Sequence, residues 1–446
     1  MRAIRWRRPI LADQRGFGHR MSETIDIVLV SLAVAWGVQF LLSIWYAVAL
    51  LTPTRTGRTK STDLAATVTL PKIAVFMPLR GADPFLENAV RSVVENDYPH
   101  VDLHITIDSD TDPAQPIVRD VLSRVNSDKV RISTLREKRT TCSLVCSSTI
   151  QAFDAVADDY DLILFCAADT VIPPRWYWDV AAAMSDPQVG CTLGNRWYLP
   201  DDGRWGSLVR QLWNMGAAVI MWLCQIPWAG AAALRPSDVR RTGLRDDWEH
   251  CLVEDVTIYK ALRRENLKLK FVPTLTNVNR EEIGLIGSFQ FIQRQMMWAR
   301  LYHPRWSVVV GHSLLGLLTM VVPAAVVAIA ALQGQWLLAE RMLGGLVLYI
   351  VGLAALGIML ELTMQKVLRS SGQDPGRLTV GRALRLTLAI PLTQVLYPIA
   401  VLACCFARHV DWRGIRYNLL KGGKVHMVEY KPYTGPAAVA GDKTSI

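Results

Sequence analysis

Apolar positions fall into two patterns along the chain, and the patterns divide it. Four long apolar blocks, Ile25–Leu51, Val308–Leu332, Leu343–Met364 and Leu384–Ala407, reach the length of about 20 residues at which a helix spans the hydrocarbon core. A fifth, Ala217–Leu234, contains Pro227, Trp228 and a Gly-Ala run, and reads as buried core or interface rather than a span. Between about Leu70 and Pro304 the apolar runs are short and bounded by turn residues. Lys72–Leu79 (KIAVFMPL) has the pattern of a buried strand. Asp83-Pro84 offers an N-cap and a proline at the first helical position, predicting a helix to about Asn96 that Tyr98-Pro99 ends. Further strands are predicted at Asp102–Asp108, Val130–Leu135 and Asp161–Cys166, with helices at Ile117–Val125 and Leu144–Ala157 between them. This alternation implies an α/β domain of Rossmann-like type, a mostly parallel sheet covered on both faces. Leu285–Tyr302 is amphipathic and leads into the second apolar block.

The organisation expected is therefore a basic segment over 1–24, a membrane helix over 25–52, an α/β domain over 70–284, an interface helix over 285–304, about three membrane helices over 308–407 and a basic tail over 408–446. The chain of 446 residues is 51% hydrophobic with a net charge of +10. Its cations cluster beside the apolar blocks, at Arg55, Arg58 and Lys60, at Lys366, Arg369, Arg377 and Arg382, and at Arg408, Arg413, Arg416, Lys421 and Lys424. That distribution suits anionic lipid and membrane orientation. No basic groove interleaved with aromatics is visible, so no nucleic-acid partner is expected. Two features conflict with a simple topology. The first twenty residues are strongly basic, which pulls orientation the other way; a start at Met21 would remove them. Three full crossings after the soluble block would also carry the basic tail across the membrane, so either one helix is re-entrant or the tail lies at a headgroup surface. The eight cysteines form no CxxC pair and no zinc-spaced cluster, and read as small apolar filler in a reducing compartment.

Ligands of such sheets bind beyond the carboxyl ends of the strands, and acids stand there: Asp108, Asp110 and Asp112 after the second strand, Asp169 after the fourth. Neither GxGxxG nor a Walker A pattern is present. Each acid alone reads equally as a turn or cap residue. The functional alternatives are a carboxylate bonding a nucleotide's base or ribose (Asp108 or Asp110) and a carboxylate holding a divalent cation on a diphosphate (Asp169). Glu254-Asp255 opens a helical stretch and offers a general base. In Gln293-Arg294-Gln295-Met296-Met297-Trp298, Arg294 suits a leaving diphosphate and Trp298 a sugar or acceptor face, beside the ordinary reading of a snorkelling arginine and a belt tryptophan.

Several stretches, in this order, resemble the membrane family-2 (GT-A) glycosyltransferases, and more closely their ceramide glucosyltransferase branch. They are Pro78–Pro84 with Glu95–Pro99, Asp108–Pro113, Cys166–Asp169, Val253–Leu262, Arg294–Trp298 and Trp412–Tyr417. The resemblance covers about Leu70 to Lys424 and implies a GT-A catalytic domain with α-helical transmembrane segments. It implies an inverting transfer of one sugar, glucose or another hexose, from a UDP-sugar donor to a membrane lipid acceptor such as ceramide, with Mg²⁺ or Mn²⁺ as cofactor. Asp108 or Asp110, with Arg80 and Gln293, would bind the donor; Asp169 would hold the metal; Asp255 with Glu254 would supply the base; Arg294 and Trp298 would belong to the (Q/R)xxRW motif. The sequence departs from the pattern twice: Ala167 stands where the first acid of a DxD motif would be, and Met297 where the motif's arginine would be. A processive polysaccharide synthase and a non-catalytic nucleotide-sugar-binding protein are the rival readings. The domain is expected to face the cytosol; oligomeric state is not legible.

Overall fold

The computed structural model of the protein describes residues 9–52, 70–125 and 128–434. Its strands are β1 (Ile73–Leu79), β2 (Val101–Ile107), β3 (Val130–Thr134), β4 (Leu162–Phe165), β5 (Val189–Leu193), β6 (Arg196–Tyr198), β7 (Ala233–Leu234), β8 (Lys268–Phe271), β9 (Asn277–Asn279), β10 (His409–Trp412), β11 (Ile415–Leu419) and β12 (Val425–Met427). Among the described residues the main sheet has seven strands in the order β3-β2-β1-β4-β7-β5-β8. β1 to β4 are parallel to one another, and only the two-residue β7 runs against its neighbours. β1 and β4 lie at the centre and are buried on both faces, which is why both read as unbroken apolar runs. β3, at the edge, is half-exposed and mixes Arg131, Ser133 and Thr134 with its apolar residues. The helices Leu86–Val94, Ala114–Val125, Leu144–Val156 and Trp176–Met184 follow successive strands. Strand boundaries fall within one or two residues of those expected. The first of these helices begins later than Asp83-Pro84, at Leu86, because Asp83 Oδ1 accepts from Phe85 N at 3.0 Å and forms a turn ahead of it.

The GT-A-type α/β domain is joined to long apolar helices. Among the described residues four helices are long and apolar enough to cross a membrane. The first runs without a break from Pro9 to Leu51, so residues 9–24 belong to it rather than to a separate basic segment. Ala217–Leu234 is not a span: it holds the end of helix Trp205–Cys224, a left-handed residue at Gln225 and β7. Trp306–Leu332 and Trp336–Ser370 form an antiparallel pair. At its turn Arg341 meets Asp26 of the first helix at 2.6 Å.

The fourth apolar helix, Val380–Phe406, departs from expectation. Near its start Arg382 donates to Gln211 of helix Trp205–Cys224 at 2.9 Å. At its end Arg300 donates to the carbonyls of Cys405 and Ala407 at 2.6 and 3.3 Å. Both ends therefore lie on the catalytic domain's side. Over 308–407 two helices thus run out from the domain and back, and the third touches it at both ends. Cationic residues at both its ends (Arg382, Arg385, Arg408) favour that placement at a headgroup level. This removes the topological conflict of the basic tail, which stays on the catalytic side. There it folds into the antiparallel meander β10-β11-β12. Met427 N donates to the Thr140 carbonyl at 2.7 Å, and Tyr417 Oη accepts from Leu144 N at 3.2 Å, docking the meander on the domain.

Candidate active site

The carboxyl ends of β1, β2 and β4, the interface helix Leu285–Tyr302 and the meander enclose a cleft of about 290 Å³, near the lower end of small-molecule sites, roughly 300 Å³. Arg80, Asp108, Asp169, Glu254, Asp255, Arg294 and Trp298 all line it. Acids from two strand-to-helix connections, after β2 and β4, and from the connection between helices Leu244–Trp248 and Ile258–Arg264 thus converge in one place.

Asp108 is the first residue after β2, so it enters the cleft directly; its side chain is 2% exposed. Oδ2 is taken by Arg80, in a short ion pair, and by the Tyr430 hydroxyl at 3.2 Å, while Oδ1 is buried without a partner. Burial pushes the Asp108 carboxyl up, and the Arg80 guanidinium works against that rise. Asp110 is not in the cleft. It is exposed and accepts from the Thr134 hydroxyl at 2.6 Å, because the chain has by then turned away toward the next helix. Asp112 caps that turn, accepting from Gly81 N and Ala114 N. For the donor-binding acid expected from the sequence, this placement predicts a contrast that steady-state kinetics reads: donor KM within about twofold for Asp110→Ala and raised about tenfold for Asp108→Ala.

Asp169 follows β4 and is held from two sides. Arg196 on β6 pairs with it in a fork, Nη1 to Oδ2 at 2.9 Å and Nη2 to Oδ1 at 3.2 Å, and Asn279 on β9 donates to Oδ2 at 3.2 Å. The Arg196 guanidinium also lies over the Trp228 ring, 4.9 Å from its centroid. Arg210, fully buried, pairs with Glu281 of the cleft wall at 2.9 Å. Burial and the charge of Asp169 push the Glu281 carboxyl up.

Glu254 and Asp255 precede helix Ile258–Arg264. Asp255 Oδ2 accepts from Ala229 N at 2.9 Å, while Oδ1 is buried without a partner. Burial raises both carboxyls; Glu254, with the charge of Asp255 beside it, is held the higher of the two.

On the interface helix, Phe291, Arg294, Gln295 and Trp298 line the cleft. Their i, i+3, i+4, i+7 spacing is one helical face, and it leaves out Gln293, expected at the donor, which does not line the cleft. Met297 lies on another face, 2% exposed in the hydrophobic core, and an arginine there would be a buried charge. Arg300, one turn on, is committed to the carbonyls at the end of Val380–Phe406. Burial and the neighbouring charge of Arg413 lower the Arg294 guanidinium's affinity for its proton.

Sequence reasoning missed Arg196, Asn279, the Arg210–Glu281 pair and the reach of Arg413. β6 and β9 are three residues each, too short for any periodicity to announce them. The Trp412–Tyr417 stretch was a visible signal without a legible role.

Comparison with solved structures finds several to which the chain is similar. One is the mannosyltransferase PcManGT from Pyrobaculum calidifontis, in complex with GDP-Man and Mn²⁺: 15% identity over 86% of this chain and 99% of that one, TM-score 0.45. Another is TarS residues 1–349 from S. aureus, with 12% identity, 82% and 100% coverage and a TM-score of 0.36. A third is glucosyl-3-phosphoglycerate synthase from Mycobacterium tuberculosis with Mn²⁺, UDP and glucosyl-3-phosphoglycerate, with 15% identity, 54% and 84% coverage and a TM-score of 0.36. The model of one protein family, glycosyl transferase family 21, matches residues 34–425, from the first apolar helix to the start of β12. Matched over that length, with its acids gathered in one cleft of a GT-A-type domain, the chain belongs to glycosyl transferase family 21 and is a nucleotide-sugar glycosyltransferase.

Proposed function

We propose that the protein moves a single hexose, such as glucose, from a UDP-sugar to the hydroxyl of a membrane lipid, ceramide or a related acceptor, with inversion at the anomeric carbon. One observation carries this reading: Asp255 is fixed through Oδ2 and presents an unpartnered Oδ1 in the same cleft as Asp108, Asp169 and Arg294. Asp108, whose own Oδ1 is free, bonds the nucleoside, with Arg80 and Tyr430 holding its other oxygen. Asp255 takes the proton of the acceptor hydroxyl as its oxygen attacks the anomeric carbon, and the UDP departs toward Arg294. Trp213, Met221 and Phe291 give the other end of the cleft an apolar wall. That wall is built on the helices that meet Val380–Phe406, where a lipid acceptor enters. Lys366, Arg369, Arg382, Arg385 and Arg408 belong to the catalytic-side ends of the apolar helices, which favours a cytosolic catalytic domain.

A divalent cation, Mg²⁺ or Mn²⁺, fits this cleft through Asp169. Its hard carboxylate oxygens suit such an ion, and one or two carboxylates with substrate phosphates and water complete a common coordination set. Among the described residues no group of three or more His, Cys, Asp or Glu side chains forms a cage, so an ion held by Asp169 would take its remaining ligands from phosphate and water. When bound, the ion supplies positive charge to the diphosphate. Arg196 and Asn279 fix the orientation of Asp169.

The test is lipid mass spectrometry on cells with and without the gene, and on purified protein given UDP-glucose and lipid extract. A single hexose-sized increment on one lipid class is expected. A ladder of sizes would instead indicate a processive synthase and sink the reading.

A further inference from the structure

The Trp412–Tyr417 stretch lies far in sequence from the catalytic domain, yet it forms part of the cleft wall. Trp412 packs against Trp298, ring centroids 5.7 Å apart. Arg413 and Gly414 form the two-residue turn between β10 and β11, where Trp412 pairs with Ile415. Both turn residues have positive φ, +46° and +78°. Glycine accepts that conformation at little cost; arginine does not, and Asn, Asp or Gly is the usual first residue of such a turn. A non-glycine residue held there by its surroundings is a recurrent mark of functional sites.

The side chain of Arg413 is held by two contacts. Nη1 donates to the Arg80 carbonyl at 2.6 Å, and Nη2 to Asp83 Oδ2 at 3.2 Å. Asp83 is 1% exposed and is itself fixed by Phe85 N, so it positions the guanidinium. Of the five N–H groups of a guanidinium, the rest are open on a side chain that is 26% exposed and lines the cleft. Its charge acts directly on Arg294. Arg294 and Arg413 line one cleft, where like charges repel unless an anion lies near both, and Met297, neutral and buried in the core, supplies no further cation.

We propose that Arg413 is a donor-phosphate ligand, delivered by the C-terminal meander to the diphosphate in place of the motif arginine that Met297 replaces. This rests on the nucleotide-sugar reading of the cleft. With Arg294 it forms a pair of guanidiniums able to bond phosphate oxygens in forked geometry, while Asp108 holds the nucleoside.

The experiment uses the full-length protein in detergent and isothermal titration calorimetry with UDP or GDP, whichever the wild type binds more tightly, and with the matching nucleoside. Arg413→Asn suits the turn, since Asn-Gly is a preferred pair there, and Arg413→Lys keeps the charge. The expected result for Arg413→Asn is about tenfold weaker nucleoside diphosphate binding, nucleoside binding within about twofold, and an intermediate loss for Arg413→Lys. Equal losses for diphosphate and nucleoside would mean that Arg413 only holds the fold, and would overturn the assignment. So would an unchanged diphosphate affinity in Arg413→Asn. A wild type that binds neither UDP nor GDP would overturn the donor reading of the cleft itself.

Discussion

Asp255→Asn is expected to lower kcat by roughly 10²–10⁴-fold, the usual contribution of a positioned general base. Asparagine is isosteric, and its carbonyl oxygen can accept from Ala229 N as Oδ2 does now at 2.9 Å. The fold and the donor subsite therefore persist, and UDP affinity should stay within about twofold. What disappears is the second carboxylate oxygen, Oδ1, which is buried and without a hydrogen-bond partner among the described residues. Single-turnover transfer from a radiolabelled UDP-sugar in membranes measures the effect, and undiminished turnover would remove Asp255 from the mechanism.

The same carboxyl sets a pH dependence. Burial raises it above the ordinary carboxylate value, near 4, and only the ionised form can take a proton. Activity should thus be lost as pH falls through this raised value, so the acid limb of kcat/KM lies above the usual carboxylate range. Glu254 is held higher still by burial and by the charge of Asp255, so it is neutral while its neighbour titrates. Glu254→Gln should leave the position of that limb unchanged.

How much of this was legible follows from which residues carry a local pattern. β1 and β4 are central and buried on both faces, so their apolar runs were plain in the sequence, and Asp108 and Asp169 followed from strand ends alone. The choice between Asp108 and Asp110 was not legible, since both stand in one acidic turn and only the path of the backbone separates them. Gln293 could have been set aside by helical spacing from Phe291 and Trp298. Arg196 and Asn279 could not have been found, and Arg413 stood in a visible stretch with no legible role: each reaches the cleft through a pairing between distant segments, and such pairings leave no periodic trace. The basic tail already raised a re-entrant helix as one alternative, but which helix could turn back was hidden, because length and apolarity are the same for a helix that crosses a bilayer and one that lies along its face.

Arg294→Gln is expected to reduce kcat by roughly 10²–10³-fold, the cost of removing one donor that meets charge developing in the transition state. The geometry singles out Arg294 because each neighbouring arginine already has a carboxylate or carbonyl partner, Arg413 keeping only part of its guanidinium for a phosphate. Arg80 pairs with Asp108 and Arg196 with Asp169, Arg210 with Glu281 and Arg413 with Asp83, and Arg300 caps a helix end. For Arg294 the described contact is the Phe291 ring, 5.9 Å from its guanidinium carbon. A cation kept in a partly buried wall beside a like charge is costly to hold, and a departing diphosphate, whose negative charge grows as the glycosidic bond breaks, is the partner that offsets the cost. Glutamine keeps the length and hydrogen-bonding ability of the side chain but not its charge, and Arg294→Lys, which restores the charge without the fork, should recover part of the loss. Because Asp108 lies at the nucleoside end, uridine affinity should not move in either variant. Equal falls in uridine affinity and kcat would show that Arg294 merely supports the helix Leu285–Tyr302, and a glutamine variant of normal kcat would show that the leaving group is stabilised elsewhere.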